Sequence, residues 1–352
     1  MFFNEMNIFR KDYSMLNHQD LLHQWLTNDC HLHVHHIEPL KGDASLRKYY
    51  RVLGEFPNLP PTQLILMDAK NAAEKTDQFI YVGKLLESLQ VRVPKIYHIN
   101  HQNGYLLLED LGEIQLLDIL NAENVDVFYR SALDTLATLQ KNALQIDIKK
   151  SLPAFNYQHM STEVQLFIDW FLETHLEMQL DESSQKLIQE TFKKLLETIE
   201  SFPQTLIHRD YHSRNLMVMP NQLLGVIDFQ DAMYGPRAYD VVSLLKDCYI
   251  VWDPNLQKKY CQYFLEQLGQ AEQIESFWNE FQICGLQRHI KVLGIFARIY
   301  YRDHKPGFLD DLPRVWNYTL QALEALPQFK DFYQFMKESV EPVFLKKAAK
   351  DD

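Results

Sequence analysis

The sequence predicts an α+β chain in two parts, a small and mostly antiparallel sheet with one inserted helix, then a larger and mainly helical remainder. Three observations predict it. Short runs alternate apolar and polar residues as far as residue 110. After Gly112 the apolar residues recur at helical spacing. One island of strand-like runs, residues 203–240, then interrupts the helical part.

Residues 18–28 put Leu21, Leu22, Trp25 and Leu26 on one face of a short helix. From Cys30 the period changes to two, with Leu32 and Val34 alternating with His31, His33 and His35, as in a half-buried strand. A turn at Lys41-Gly42-Asp43 leads to a second strand over 46–53, a Pro-rich loop over 57–61 and a third strand over 63–67. Residues 73–90 carry Phe79, Val82, Leu85, Leu86 and Leu89 at helical spacing, and strands follow over 95–100 and 104–108. In the second part, Ile188, Phe192, Leu195 and Ile199 form one amphipathic stripe. Within the island, runs at 206–208, 216–219 and 223–227 read as strands, the last two joined by Pro220-Asn221. The residues 346–352 form a charged tail that should fray.

At 352 residues the chain can bury a sizeable core. Its net charge of −12 argues against a nucleic-acid partner. Four cysteines without a C-x-x-C pair suit a reduced, cytoplasmic protein. The N-terminus is too polar for a secretory signal, and no apolar run is long enough to span a membrane. Oligomeric state is not legible.

The island holds the chemistry. It reads His208-Arg209-Asp210-Tyr211-His212-Ser213-Arg214-Asn215, then Val226-Ile227-Asp228-Phe229-Gln230. Asp210 and Asn215 have the spacing of the H-R-D-x-x-x-x-N catalytic loop of kinases, and Asp228 follows on the next strand. Phosphoryl transfer needs an oriented nucleophile and neutralised phosphate charge. Asp210 is the candidate catalytic carboxylate. Asn215 and Asp228 offer the hard oxygen ligands that Mg2+ prefers.

With Gly235-Pro236-Arg237-Ala238-Tyr239-Asp240, these segments resemble the aminoglycoside phosphotransferase/choline kinase superfamily. The resemblance implies a bilobal protein-kinase-like fold, with an N-lobe over 1–110 and a C-lobe over 111–352. It also implies ATP and Mg2+ as cofactors, a hinge at Leu107-Leu108-Glu109-Asp110-Leu111 whose backbone contacts adenine, and a structural brace of the catalytic loop by His208 and Asp240. Four segments resemble more narrowly the bacterial family of anomeric kinases of N-acetylmuramate and N-acetylglucosamine. They are D-A-S-L-R-K-Y-Y-R from Asp43, L-M-D-A from Leu66, V-I-D-F-Q-D-A-M-Y-G-P-R-A-Y-D from Val226, and Q-R-H-I-K-V-L-G-I-F-A-R-I-Y-Y-R-D-H-K-P-G-F-L-D-D-L-P-R from Gln287. That family implies transfer of the ATP γ-phosphate to the C1 hydroxyl, giving the α-1-phosphate, in peptidoglycan recycling. Its partner is then a small amino sugar.

Two features depart from the kinase pattern. No G-x-G-x-x-G is present, and only Gly42 and Ser45 offer a small-residue phosphate loop. Met67 stands where the third strand would carry its phosphate-binding lysine, so Arg47 or Lys48 is expected to substitute. His31, His33, His35 and His36 have no convincing local carboxylate or cysteine partner, and the solvated face of an edge strand is the preferred reading over a metal site. Arg288, Lys291 and Arg302 fall along one helix face, and N-acetylmuramate carries a carboxylate that an arginine suits. Arg214, Arg288 and Arg302 are therefore the candidate substrate residues. The competing functions are phosphorylation of an aminoglycoside, choline or another hydroxyl compound, and a nucleotide-binding pseudokinase.

Overall fold

A computed structural model describes residues 18–40, 47–70 and 76–351. The described residues divide into two compact units, one reaching to Thr76 and resuming over Lys95–Asp110, the other formed by Asp77–Pro94 and the chain from Leu111 onward.

The first unit opens with α1 (His18–Gln24) and a π-helical turn over Trp25–Asp29. A five-stranded antiparallel sheet follows, built from β1 (His33–Pro39), β2 (Lys48–Glu55), β3 (Thr62–Asp68), β4 (Ile96–Asn100) and β5 (Tyr105–Glu109), in spatial order β1-β2-β3-β5-β4. Its strands are rich in Val, Ile, Leu and Tyr, which pack well on a pleated face. One face buries Tyr50, Val52, Leu64, Leu66 and Leu107 against Leu22, Trp25 and Leu26. Each fully buried aliphatic side chain there contributes roughly 1.5–3 kcal/mol. The β1–β2 register steps between Val34 and His36, so His35 is an extra residue in a bulge.

The helix expected inside the first part, α2 (Thr76–Ser88), groups with the second unit from Asp77 onward. Phe79 lies 4.8 Å from Phe229, the Arg92 carbonyl accepts from Val226 N–H at 2.7 Å, and the Leu89 carbonyl accepts from Asn142 at 3.0 Å. The apolar stripe identified a buried face but not the surface it meets.

The rest of the second unit is mainly helical. Its helices are α3 (Leu116–Ile119), α4 (Val125–Ala143), α5 (Ile148–Ser151), α6 (Tyr157–Leu166), α7 (Glu182–Glu200), α8 (Tyr239–Leu245), α9 (Pro254–Leu268), α10 (Ile274–Asp303), α11 (Leu312–Glu324), α12 (Lys330–Phe335) and α13 (Glu341–Asp351). A π-helical segment, Phe167–His175, continues α6. The predicted stripe of α7 is buried, and Asp181 caps that helix by accepting from Ser184 N–H. The axis of the unit is α10, with 30 residues. Gly294 lets it cross the end of α6, since a Cβ there would lie 2.3 Å from the Leu166 carbonyl carbon.

The island forms two small antiparallel pairs, β6 (Gln204–Ile207) with β9 (Met233–Pro236), and β7 (Leu216–Val218) with β8 (Leu224–Val226). The turn between β7 and β8 puts Asn221 at φ 61°, a left-handed conformation that Asn tolerates. No helix among the described residues is long and apolar enough to cross a membrane.

Candidate active site

The loop after β6 is held by its own backbone. Asp240, fully buried in the first turn of α8, accepts from His208 N–H at 2.6 Å and Arg209 N–H at 2.9 Å. Those bonds fix Arg209 at φ +78°, a strained conformation for a side chain of its size. His208 ties this loop to the strand that leads to Asp228. Its Nε2 lies 3.0 Å from the Ile227 carbonyl, and Asp210 N–H points to its Nδ1 at 3.3 Å. A carbonyl can only accept, so Nε2 carries the proton.

Asn215 donates its amide Nδ2 to the Asp210 carbonyl at 2.9 Å, and its own carbonyl accepts from Ile227 N–H at 3.0 Å. Thus Asn215 is pinned to both the Asp210 loop and the residue before Asp228. Asp228 itself has φ 62°, and its Oδ1 accepts from Gln230 at 2.8 Å. The donor set fits a hard divalent cation, with a carboxylate from Asp228 and an amide oxygen that Asn215 has left for another partner by committing its nitrogen. The hydrogen bonds thus gather the segments bearing Asp210, Asn215 and Asp228 into one assembly.

Asp210 faces a cavity of about 630 Å³. The Asp210 carboxylate is 39 % exposed into this space although protein surrounds it closely. Burial alone would push its pKa up, but Lys291 and Arg288, with His212 and Arg209, outweigh that and hold it well below the usual carboxylate range. Arg288 donates to the Arg209 carbonyl at 2.9 Å and approaches Asp210 Oδ1 at 3.4 Å. Lys291 donates to the Tyr239 hydroxyl at 3.2 Å and pairs with Glu163 at 3.3 Å.

Glu163 is a centre that the sequence reading missed. It accepts from Arg209 at 2.5 Å and Gln287 at 3.0 Å, besides pairing with Lys291. Burial would raise its pKa, yet Lys291, His159 and Arg209 lower it. Asp247 was also missed. Fully buried, it accepts from Ser213 N–H and Tyr249 N–H, both at 2.9 Å, which anchors the middle of the catalytic loop. No local pattern marks either acid in the sequence.

The candidate substrate arginines separate. Arg288 is buried and committed to the loop as described. Arg214 stacks over the Tyr249 ring at 3.8 Å; Tyr249 lines the cavity, whereas Arg214 is not among its lining residues. Arg302 is not brought to the cavity. It sits exposed at the end of α10, paired with the adjacent Asp303 at 2.7 Å, because the helix turns its side chain outward there. Arg298, noted only as part of the basic stripe, does line the cavity.

Among the nucleotide candidates, Ser45 lies outside the described residues, as does the turn at 41–43. Met67 is fully buried opposite Tyr49 on β2. Arg47 is buried, whereas Lys48 at the start of β2 is exposed. Glu109 ends β5 with its N–H given to the Lys95 carbonyl at 2.8 Å. Leu111 is buried in the second unit. Arg51, another basic residue of the second strand, is paired with Asp110 at 2.7 Å. On edge strand β1 the histidines are exposed as expected, but Glu55 of β2 brings its carboxylate to His33 and His35, the three ligand atoms lying within 4.8 Å of one another.

A profile of the phosphotransferase enzyme family matches residues 36–275. The N-acetylmuramate/N-acetylglucosamine kinase of Pseudomonas aeruginosa is 36% identical over 304 residues, covering 85% of this chain and 87% of that protein. The kinase of the same name from Neisseria meningitidis serogroup B is 32% identical over 308 residues, covering 85% and 89%. Among solved structures, Plasmodium vivax ethanolamine kinase superposes with a TM-score of 0.62 at 14% identity, covering 91% of this chain and 93% of that one. Aminoglycoside 2'-phosphotransferase-IIIa, solved as a GDP complex, gives 0.60 at 17% identity, covering 85% and 98%. At such identities the structures show the fold alone, and it is the kinase-like α+β fold expected from the sequence. With a matching profile over most of its length and relatives above 30% identity across both parts, the chain belongs to the phosphotransferase enzyme family.

Proposed function

We propose that this protein is an ATP-dependent sugar kinase that phosphorylates the anomeric C1 hydroxyl of N-acetylmuramate and N-acetylglucosamine, giving the α-1-phosphate in cytoplasmic peptidoglycan recycling. The observation that carries the reading is the Asp210 loop, braced and ionised, in a chain similar over 85% of its length to kinases of those two sugars. Asp210 orients the attacking hydroxyl and accepts its proton. Asn215 and Asp228 would hold Mg2+, which would supply charge neutralisation of the phosphates when bound. Arg47, Lys48, Glu109 and Leu111 are the proposed nucleotide contacts within their own units, with Ser45 as a phosphate-loop candidate.

The cavity's charge favours this acceptor over a polycationic aminoglycoside. Arg209, Arg288, Lys291 and Arg298 line it against Glu163, Asp210 and Asp231. Glu163 is already consumed by Arg209 and Lys291.

The test is ATP consumption by the purified protein with N-acetylmuramate, N-acetylglucosamine, kanamycin and choline, with 31P NMR locating the phosphate. Turnover of the amino sugars to a C1 phosphate is expected. No turnover with either sugar overturns the reading.

A further inference from the structure

The cations of the cavity are not equivalent. Arg209 is bonded to Glu163, Arg288 to the Arg209 carbonyl and Lys291 to Glu163 and Tyr239. Arg298 lines the same cavity; its Nε is buried without a hydrogen-bond partner, as are those of Arg209 and Arg288, but those two are bonded through their Nη groups. An unpartnered buried nitrogen on a cation costs free energy that an incoming anion recovers.

The helix places it usefully. Lys291, Ile295 and Arg298 recur at spacings of four and three, so they share one face of α10. Arg288, at the level of Asp210, lies ten residues before Arg298, or about 15 Å along the helix axis. Both arginines line the one cavity. Beside Arg298, Ile295, Phe296 and Ile299 give the cavity an apolar wall. A carboxylate on a short branched apolar stem fits that combination. Burial and the neighbouring Arg302 weigh against the charge of Arg298 and outweigh the support of nearby Asp303, so a further anion would be favourable there.

Resting on the proposed acceptor, we infer that Arg298 binds the lactyl carboxylate of N-acetylmuramate and so sets the preference between the two sugars. N-acetylglucosamine has the same C1 hydroxyl and no carboxylate. The acceptor end is then common to both substrates, and only one of them uses Arg298.

Steady-state kinetics of wild type, Arg298→Met and Arg298→Lys with both sugars tests this. Arg298→Met should lower kcat/KM for N-acetylmuramate roughly 10- to 100-fold, mainly through KM, as for loss of a charge-assisted bond. Arg298→Lys should recover part of it, and N-acetylglucosamine should change less than about twofold on the same logic. The neutral amide of N-acetylmuramate, given to the wild type, keeps the substrate's shape and should show the same rise in KM without any mutation. An equal loss for both sugars, or a wild type indifferent to the amide, overturns the assignment. A wild type inactive on both sugars instead overturns the acceptor reading on which it rests.

Discussion

Asp240→Asn isolates what positions Asp210. Both Asp240 oxygens accept backbone N–H groups, at 2.6 Å from His208 and 2.9 Å from Arg209, in a fully buried setting. An asparagine keeps one acceptor and turns an NH2 toward the other N–H. One charge-assisted bond is lost and one buried donor is left unmatched, which costs about 2–3 kcal/mol. The same bonds hold Arg209 at φ +78°, a strain of about 1–3 kcal/mol that relaxes once they weaken. Relaxation rotates the peptide that leads directly into Asp210. A displacement of about 1 Å there lowers turnover on the order of 10²-fold. Thermal melting should therefore drop by about 3–4 °C, and kcat should fall far more than the KM for sugar rises. Melting curves and steady-state kinetics on the same preparation read both. A variant that melts lower but keeps wild-type kcat would refute the link between the brace and catalysis. A variant unchanged in both would refute the bond energies themselves.

Asp210→Asn preserves shape and should cut kcat by about 10²- to 10⁴-fold; near-wild-type kinetics would remove Asp210 from the chemistry. Lys246 is buried against Gln282 at 2.7 Å, and burial lowers its pKa from 10.5 to about 8. A lysine lowered on folding binds fewer protons folded than unfolded between those two values, so stability rises with pH across that window and is reduced below it by roughly 3 kcal/mol. Lys246→Met should flatten that rise in melting temperature between pH 8 and 10, and an unchanged slope would sink the assignment. Gly294→Ala puts a Cβ 2.3 Å from the Leu166 backbone. The overpacking, about 1–3 kcal/mol or more, exceeds the roughly 1 kcal/mol of helix propensity gained, so denaturant melts should show net destabilisation. A stabilised variant would mean that α10 and α6 separate easily.

The parts of the fold that follow local rules were legible. The β7–β8 hairpin is announced by Pro220-Asn221, and the buried stripe of α7 by its spacing. The Asp210–Asn215 spacing marks the loop because both ends must meet one site. Long-range partners leave no such trace. Glu163 lies 46 residues before Arg209 and meets it only in the folded chain, where packing of α6 on α10 also brings it Gln287 and Lys291. Arg288 and Lys291 repeat at helical spacing whether that face is solvated or buried, so the stripe could not tell a substrate ligand from a brace. Glu55 is not adjacent to His33 in sequence; pairing of β1 with β2 supplies it. For α2 the amphipathic pattern marked the helix and its inner face without naming the surface that covers it.

The charges around Asp210 bear on the choice of acceptor. A carboxylate held well below its usual range stays ionised at neutral pH and is a weak proton acceptor. Its stabilising effect is present above the unfolded-state value, near 3.9, and is lost only as pH falls through the lowered folded value. Such a group orients a hydroxyl well and abstracts its proton poorly. An anomeric hydroxyl is more acidic than an ordinary alcohol, so it asks less of the base. The cations that weaken Asp210 as a base are Lys291, Arg288 and Arg209, and the same three are locked by Glu163, Tyr239 and the loop's own carbonyls. The positive charge of Lys291, Arg288 and Arg209 is thus placed where it orients Asp210, and the inferred carboxylate contact falls to Arg298, further along the same cavity. An acceptor with an acidic hydroxyl at one end and a carboxylate further along satisfies both conditions.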